Sequence, residues 1–234
     1  MEKRRVLLKL SGEALAGAQK TGFDLPTVQM VARQVKNAVD DGVCVGIVIG
    51  GGNFWRGRTG NEIDRTKSDQ IGMLATVMNA IYVSEVFRTE GMQTQVFTPF
   101  ACGNMTALFS KDAATQCWQE GKVVFFAGGT GHPYFSTDTG VALRAIEMEA
   151  DIILLAKAID GVYDSDPKTN PNAKKYDVVS IQEVVDKRLQ VVDLTASIMC
   201  LENKMPLAVF ALGAENSITN AMNGKAIGTM VTVE

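Results

Sequence analysis

The stretch "VCVGIVIGGG", residues 43–52, is an apolar run that ends abruptly in three glycines. A short apolar run rich in β-branched residues is typical of a strand that is buried on both faces of a parallel sheet. Glycine has no Cβ atom and adopts positive φ readily, so the chain turns sharply there and exposes its backbone amides. This stretch therefore predicts a buried parallel strand that ends in a loop suited to an anion.

Strand and helix patterns alternate on both sides of this stretch. Upstream, "RVLLKL" at residues 5–10 predicts a first buried strand, and residues 24–42 place valines and alanines on one face of a helix. Downstream, a long helix is predicted from Ser68 to Glu90, and the alternation continues to a last strand near residues 228–233. Because parallel neighbours need crossover connections, this order predicts an α/β fold, a three-layer αβα sandwich with a mainly parallel central sheet.

The domain organisation follows from what interrupts this pattern. Residues 160–176 are polar and rich in turn formers, which predicts a long loop. No linker, internal repeat or low-complexity stretch divides the sequence elsewhere. We therefore expect a single domain over residues 1–234.

The composition limits the partners. The 234 residues are 46% hydrophobic and 21% charged, as in ordinary folded proteins, and the formal net charge is -3. Without a broad cationic surface the chain gains little from counterion release, so nucleic acid is not expected as a partner. The basic start carries too short an apolar stretch for a signal peptide, and no segment approaches a membrane-spanning length. A cytoplasmic protein with no membrane partner is expected.

Cysteine and histidine chemistry is disfavoured. The four cysteines, at positions 44, 102, 117 and 200, have none of the paired spacings that bind zinc or form a redox couple, so we interpret them as reduced packing residues. His132 is the only histidine, which argues against a Ser-His-Asp triad and against a multi-histidine metal site.

Three predicted strands end in glycine: "KLSG" at residues 9–12, "GGGN" at 50–53 and "GGTG" at 128–131. The carboxyl ends of parallel strands meet at one edge of a sheet, where ligands of such folds bind. Each cluster alone is equally consistent with a tight strand-to-helix turn. Three clusters at one edge instead favour a site for bulky anions, and phosphate is the natural candidate.

Several known phosphate-binding signatures are missing from the sequence. No G-x-x-x-x-G-K-[ST] motif is present, so the chain is not a P-loop protein. The G-x-G-x-x-G pattern fails at its third glycine, because Trp55 and Tyr134 stand there after Gly50 and Gly129. The H-R-D and D-F-G signatures of protein kinases are also missing.

Cations and a helix start accompany the glycines. Lys9 interrupts an apolar strand, where a charge is costly unless it meets an anion, and Arg56 follows the triple glycine shortly afterwards. Taken alone, Lys9 is better explained as an edge lysine and Arg56 as a surface arginine, and their shared position beside the glycine loops reverses that preference. The hydroxyl-rich residues 136–139 begin a predicted helix, whose free amides favour a second phosphate.

Six characteristic stretches follow one another along almost the whole chain: "LLKLSGEAL", "IGGGNFWRG", "DQIGMLATVMNA", "GGTGHPYFSTDT", "EADIILLAK" and "DGVYDSDP". In this order they resemble the bacterial uridylate kinases of the amino-acid kinase family. The resemblance implies an amino-acid kinase-like fold and a cytoplasmic homohexamer that transfers the γ-phosphoryl group of ATP to UMP with Mg²⁺. It also implies activation by GTP and inhibition by UTP, with UMP bound mostly by the N-terminal part and ATP mostly by the C-terminal part.

The resemblance also implies roles for individual residues. Lys9 and Arg56 are the implied catalytic residues, and Asp193 is the implied acid near the metal. The implied ATP-binding residues are Lys9, Leu10, Ser11, Gly12, Gly52, Arg56, Ala158, Tyr163 and Asp166. The implied UMP-binding residues are Gly51, Asp69, Thr130, Gly131, His132, Pro133, Tyr134, Phe135, Ser136 and Thr137.

Some of these residues have an equally ordinary structural use. Asp69 is also a normal acid for the first turn of a helix, and Asp193 is also a good helix cap. Tyr163 and Asp166 are frequent turn residues. His132 stands where these relatives usually have Asn in "GTGNP", which predicts a difference in regulation or in UMP affinity.

Two other classes of protein stay open. A different small-molecule kinase of the same superfamily would keep the ATP-side loops but lack Asp69 and "PYFSTDT". A non-catalytic nucleotide or oxyanion binding or storage protein on the same fold would share the loops without turnover, although the presence of Lys9 and Arg56 argues against it.

Overall fold

The computed structural model describes residues 3–55, 63–225 and 227–233. Its strands are β1 Arg5–Leu10, β2 Cys44–Ile49, β3 Thr94–Thr98, β4 Ala107–Leu108, β5 Val123–Phe126, β6 Ile152–Lys157, β7 Val162–Tyr163, β8 Lys175–Tyr176, β9 Val178–Ser180, β10 Leu207–Ala211 and β11 Thr229–Thr232. Its α-helices are α1 Gly12–Leu15, α2 Leu25–Asp40, α3 Arg65–Thr89, α4 Lys111–Gln119, α5 Thr137–Glu147, α6 Ile181–Asp186, α7 Leu194–Glu202 and α8 Ser217–Met222.

Nine of the described strands form one sheet in the order β4-β3-β5-β2-β1-β6-β10-β11-β9. Its neighbouring strands are parallel, except for the antiparallel pair β10 and β11. Helices α2, α3 and α8 pack on one face of the sheet, and α4 to α7 pack on the other. The predicted α/β sandwich with a mainly parallel sheet is confirmed.

The central strands and α2 form where their sequences predict them. β1 and β2 occupy the predicted apolar runs and are almost entirely buried. Asp24 caps α2 by accepting from the amide of Thr27 at 3.0 Å, and Pro26 lies in the first turn. The valines and alanines of α2 face the sheet, and each fully buried valine stabilises the fold by about 1.5–3 kcal/mol.

Helix α3 has an unusual distribution of polarity. It begins at Arg65, ahead of the predicted Ser68, because the side chain of Asp64 caps it by accepting from the amide of Lys67. Its buried side includes polar residues, namely Ser68, Thr76, Asn79 and Ser84. Its exposed side carries a row of large apolar residues, namely Ile71, Leu74, Met78 and Ile81. A normal surface helix has the opposite arrangement.

Helix α3 is also longer and more apolar than the sequence analysis expects of any segment. By length and composition alone α3 could cross a membrane, since an 18-residue window has a mean hydropathy of 1.2. The expectation that no segment approaches that length is therefore wrong. In the folded chain half of this window is buried, and α3 packs against α2 and the sheet as a core helix does.

Three short features were missed or misassigned. Residues 160–176 are not a plain loop, since β7 and β8 pair as an antiparallel hairpin at the two ends of the segment. Thr229 of β11 holds this hairpin by accepting from the amide of Val162 at 2.8 Å and donating to the carbonyl of Tyr176. β4 and β9 were also not predicted. Strands of two or three residues are too short to show an apolar periodicity.

The cysteines are packing residues, as interpreted from their spacing. All four lie in the described part of the chain, and all are free thiols. Burial raises the pKa of the Cys200 thiol to about 12, so this side chain stays protonated and unreactive at neutral pH.

Candidate active site

The three glycine clusters line one cavity of about 390 Å³ at the carboxyl ends of β1, β2 and β5. These strands are neighbours in the order β5-β2-β1, so the loops that follow them meet at a single edge. The lining residues are Lys9, Ser11, Gly12, Glu13, Gly50, Gly51, Gly52, Trp55, Ser68, Asp69, Gly72, Met73, Thr76, Gly129, Thr130, His132, Phe135, Ser136 and Thr137. The predicted convergence of the loops is therefore confirmed.

Glycine is required where the first two loops cross. A Cβ atom on Gly12 would lie 2.3 Å from Oδ1 of Asn53 and 2.5 Å from the carbonyl oxygen of Gly50. A Cβ on Gly51 would lie 2.8 Å from the carbonyl oxygen of Gly72 in α3. The loops therefore approach each other too closely for a side chain at these positions, and their glycines line the cavity.

Lys9 extends from β1 to the cavity and meets a carboxylate there. Its Nζ atom lies 3.1 Å from Oδ1 of Asp138, in the first turn of α5, and its side chain is 15% exposed. The carboxylate fixes the direction of the ammonium group. Because an ammonium has three N–H donors, it can also donate hydrogen bonds to a second anion.

A second lysine lies near this pair. Lys157 ends β6, is largely buried, and donates from Nζ to the carbonyl of Val191. Burial lowers the pKa of Lys157, the carboxylate of Asp138 raises it, and the charge of Lys9 lowers it again. The charges of Lys9 and Lys157 therefore both act near the carboxylate of Asp138, and their ammonium groups suit the binding of phosphate.

Sequence reasoning finds Asp138 and Lys157 only in part. Asp138 belongs to the hydroxyl-rich helix start at residues 136–139, and Lys157 lies at the end of the apolar run at residues 152–156. Both Lys9 and Lys157 are charged residues within or directly after an apolar strand, where a charge is costly unless it meets an anion. This shared pattern is the sequence signal that identifies Lys157 as a candidate site residue.

Asp69 lies near the start of α3 and holds the loop that follows β5. Its Oδ2 atom accepts from the amide of Tyr134 at 2.8 Å and from Nε of Arg65 at 2.8 Å. The guanidinium of Arg65 also lies over the ring of Tyr134, 5.2 Å from its centroid. Tyr134 has a φ of 72°, an uncommon conformation for a bulky residue, and these contacts hold it there.

Asp193 joins the starts of two helices. It caps α7 by accepting from the amide of Ala196 at 2.8 Å, and it accepts from the hydroxyls of Ser136 and Thr139. Ser136 in turn caps α5 by accepting from the amides of Asp138 and Thr139. Both carboxylate oxygens of Asp193 therefore act in positioning α5, and contact with a metal stays a prediction.

The described residues contain no cluster of three or more His, Cys, Asp or Glu side chains placed to hold a metal ion. Mg²⁺ at phosphoryl-transfer sites keeps several waters and binds substrate phosphates with only one or two carboxylates. The acids beside the cavity, Asp138 and Asp193, fit that arrangement and do not form an all-protein cage.

The predicted site residues divide into three groups. Those that line the cavity are Lys9, Ser11, Gly12, Gly51, Gly52, Asp69, Thr130, His132, Phe135, Ser136 and Thr137. Those outside its lining are Leu10, Gly131, Pro133, Tyr134, Ala158, Tyr163, Asp166 and Asp193. Arg56 lies outside the described residues.

The predicted adenosine contacts lie in the segment after β6. Tyr163 donates its hydroxyl to Asp160 at 2.8 Å, and Asp166 accepts from the amide of Lys168 at 2.9 Å. Both residues act in local turns, and their contact with ATP stays a prediction.

Comparison with known proteins agrees with this architecture. Residues 4–211 match the profile of the Amino acid kinase family. The chain is similar to the crystal structure of UMP kinase from Bacillus anthracis, with 34% identity and a TM-score of 0.95, over 100% of this chain and 98% of that one. It is similar to UMP kinase from Ureaplasma parvum, with 35% identity and a TM-score of 0.93, over 99% and 100%. It is also similar to uridylate kinase from Archaeoglobus fulgidus, with 26% identity and a TM-score of 0.75, over 97% and 99%.

Proposed function

The chain belongs to the amino acid kinase family, and on that premise we propose that it is a UMP kinase, which transfers the γ-phosphoryl group of ATP to UMP and gives UDP and ADP. The observation that carries this proposal is the single cavity in which Lys9, the three glycine loops and Asp69 come together. The likeness to two UMP kinases over nearly their whole lengths supports the same reaction.

The chemistry needs positioning and charge neutralisation more than acid-base catalysis. The nucleophile is a phosphate oxygen of UMP, which is largely ionised at neutral pH because the second pKa of such a group is about 6. No side chain has to remove its proton. The protein has to bring two polyanions into line and stabilise the charge on the group in transfer, which ammonium groups and backbone amides do well.

We assign the donor side to the first glycine loop and its surroundings. Lys9, Ser11 and Gly12 would hold the ATP phosphates, with Leu10 contributing only its backbone because its side chain is fully buried. Lys157, whose charge lies near that of Lys9, would add to the neutralisation. The adenosine would lie over the segment after β6, against Ala158, Tyr163 and Asp166.

We assign the acceptor side to α3 and the loop after β5. Asp69 lines the cavity and would accept hydrogen bonds from the ribose hydroxyls of UMP. Residues 130–137, which include His132, would enclose the base and the phosphate. Gly52 and Arg56 would bridge the two nucleotides, and Gly51 would contact UMP.

Mg²⁺ is proposed to enter with ATP, held by the phosphates, with Asp193 or Asp138 reached directly or through water. When bound, the ion neutralises phosphate charge and helps to align the reacting groups. Lys9 and Lys157 perform the same neutralisation from the protein side.

An ADP-release assay with UMP, CMP, dUMP and AMP as acceptors tests the proposal. We expect selective turnover of UMP, because Asp69 would select a ribose over a deoxyribose and residues 130–137 would enclose the uracil base. Turnover of a different phosphate or carboxylate acceptor would favour another small-molecule kinase of the family. Nucleotide binding without any turnover would favour a binding or storage protein.

Self-association as a homohexamer is the second part of the proposal. The row Ile71, Leu74, Met78 and Ile81 on α3 is between 37% and 53% exposed in the single chain. Charged or polar residues flank it along the helix, with Lys67 and Gln70 before it and Glu85 and Arg88 after it. An apolar patch with a polar rim is typical of a protein interface, and a second copy of α3 matches it in chemistry.

Substituting Leu74→Asp together with Met78→Asp should dissociate the oligomer at this surface. The two carboxylates lie one helical turn apart, so they repel each other and would be buried in the interface without a cation, which is costly. Size-exclusion chromatography with light scattering should report a smaller species, whereas Leu25→Asp, which changes an exposed leucine of α2, should leave the mass unchanged. An unchanged mass in the double variant would exclude α3 as the interface.

The remaining parts of the proposal concern the cellular role. The product UDP would supply the synthesis of UTP and CTP in the cytoplasm, with GTP as an activator and UTP as an inhibitor. Support for these points comes from the resemblance to bacterial uridylate kinases. Adding GTP and UTP to the assay above measures the sign and size of both effects.

A further inference from the structure

The buried side of α3 carries an amide that is bonded to the second glycine loop. The side chain of Asn79 has no exposed surface, and its Nδ2 atom donates to the carbonyl of Gly50 at 2.7 Å. Asn79 and Asn53 also exchange hydrogen bonds through their side-chain amides, at 2.7 Å and 3.0 Å. Asn53 donates further to the carbonyl of Gly22 at 2.8 Å. Both ends of the loop at residues 50–53 are thus attached to one side chain of α3.

One turn earlier, α3 holds the third glycine loop. Oγ1 of Thr76 accepts from the amide of Gly128 at 2.8 Å and donates to the carbonyl of Met73 at 2.7 Å. Gly128 has a φ of 80°, and a Cβ atom there would lie 2.8 Å from the ring of Phe100 and 2.9 Å from Pro99. The amide of Gly128 is therefore held between α3 on one side and the chain after β3 on the other.

The spacing of Thr76 and Asn79 makes the two attachments one rigid unit. Residues at i and i+3 lie on the same face of a helix, so both side chains point to the same edge of the sheet. A hydrogen-bonded helix hardly changes its length, whereas loops move easily. Thr76 and Asn79 therefore fix the separation between the loop after β2 and the loop after β5.

Stability alone is a weak reason for these polar residues. Burying an amide or a hydroxyl costs desolvation free energy, and its hydrogen bonds offset this cost with only a small net gain. Apolar side chains of the same size would therefore stabilise the fold about as well. Fully satisfied buried polar groups instead specify one arrangement of their partners. Here the partners are the two loops that border the cavity.

We propose that Thr76 and Asn79 are positioning residues: by fixing the second and third glycine loops to α3, they set where the acceptor phosphate lies relative to the loop at residues 50–53, which would bridge donor and acceptor. The inference rests on the proposed phosphoryl transfer between two nucleotides. Neither side chain needs to touch a substrate, since the hydroxyl of Thr76 and the amide of Asn79 are already bonded to the protein.

Thr76→Val and Thr76→Ser form a matched pair for the test. Valine keeps the size but removes the acceptor for Gly128, whereas serine keeps the hydroxyl and loses only a methyl group. We expect Thr76→Val to lower kcat for UMP roughly tenfold, because small misplacements of bound reactants are costly in rate, and Thr76→Ser to stay within about twofold of the wild type. Isothermal titration should give the same number of UMP sites per chain in both, so a loss of folded protein would not explain the effect.

Hydrogen-deuterium exchange provides a readout that does not depend on activity. The amide of Gly128 should exchange faster in Thr76→Val than in Thr76→Ser, while β6 and β10 exchange as in the wild type. Ser84→Ala is the control, because Ser84 is another buried hydroxyl of α3 but bonds to Thr94 of β3 at 2.8 Å. It should change neither kcat nor exchange at Gly128. Thr76→Ala, which removes the same acceptor without placing a methyl group against the amide of Gly128, is measured in parallel in case the valine variant folds poorly.

The outcomes separate this inference from the proposed reaction. If the wild type phosphorylates UMP but both Thr76→Val and Thr76→Ala keep its kcat, the positioning role is wrong. It is also wrong if exchange at Gly128 is unchanged, or if serine fails to restore kcat. If the wild type does not phosphorylate UMP, the proposed function fails, and faster exchange at Gly128 in the valine or alanine variant still demonstrates the attachment of the loop.

Discussion

Replacing Lys9 with alanine is expected to lower kcat for UMP phosphorylation by roughly 10² to 10³-fold, the usual effect of removing one preorganised electrostatic group from an active site. Lys9 lines the cavity, and its direction is fixed by the ion pair with Asp138. In phosphoryl transfer the negative charge spreads over the group in flight, and an ammonium beside it lowers the barrier. Within the described part of the chain, Lys157 is the other lysine near this position, and we expect it to replace that charge only in part because its Nζ is bonded to the carbonyl of Val191.

The measurement is steady-state kinetics with both substrates varied, together with urea unfolding. Unfolding is needed because Lys9→Ala also leaves Asp138 without its ion-pair partner, which lowers stability independently of catalysis. Lys36→Ala is a suitable control, since Lys36 forms an ordinary exposed pair with Asp40 on α2. A loss of less than tenfold in a well-folded Lys9→Ala variant would remove Lys9 from the phosphate site.

The second large effect is expected for Gly12→Ala. The new methyl group would lie 2.3 Å from Oδ1 of Asn53 and 2.5 Å from the carbonyl of Gly50, far inside normal contact distances. Either the first loop or the second must shift, and a shift of about 1 Å at a reacting centre costs on the order of 10²-fold in rate. Overpacking of this kind also destabilises a fold by about 1–3 kcal/mol.

Gly213→Ala is the matched control for this substitution. A Cβ atom on Gly213 would meet no heavy atom within 4 Å, and its backbone does not need a positive φ. Its kcat and unfolding midpoint should therefore stay close to those of the wild type. If Gly12→Ala were as active as Gly213→Ala, the close packing of the first two loops would have no part in catalysis.

Much of the fold could be predicted from the sequence because its core elements have strong local signals. β1 and β2 are continuous apolar runs, and α2 combines a capping Asp24, Pro26 in its first turn and one apolar face. The hairpin of β7 and β8 was missed because each strand has two residues and depends on Thr229, which is distant in the sequence. Such tertiary support leaves no periodic pattern.

The site could be predicted in part for a similar reason. The convergence of three glycine loops follows from the general geometry of parallel sheets, so the sequence alone predicts it. The attachment of Gly50 and Gly128 to α3 could not, because Thr76 and Asn79 look like ordinary interruptions in an apolar helix. The ion pair of Lys9 with Asp138 likewise depends on how α5 is placed against β1.

Helix α3 also has a consequence for how such a chain can change over generations. One side is occupied by bonds to the glycine loops, and the other carries the apolar row, so the middle of the helix offers almost no neutral positions. Substitutions there would disturb either the glycine loops or the apolar row, and variation should collect at the two ends of α3, near Lys67 and Glu85. A natural variant altered at mid-helix would therefore need a compensating change in a loop or in a residue packed beside it.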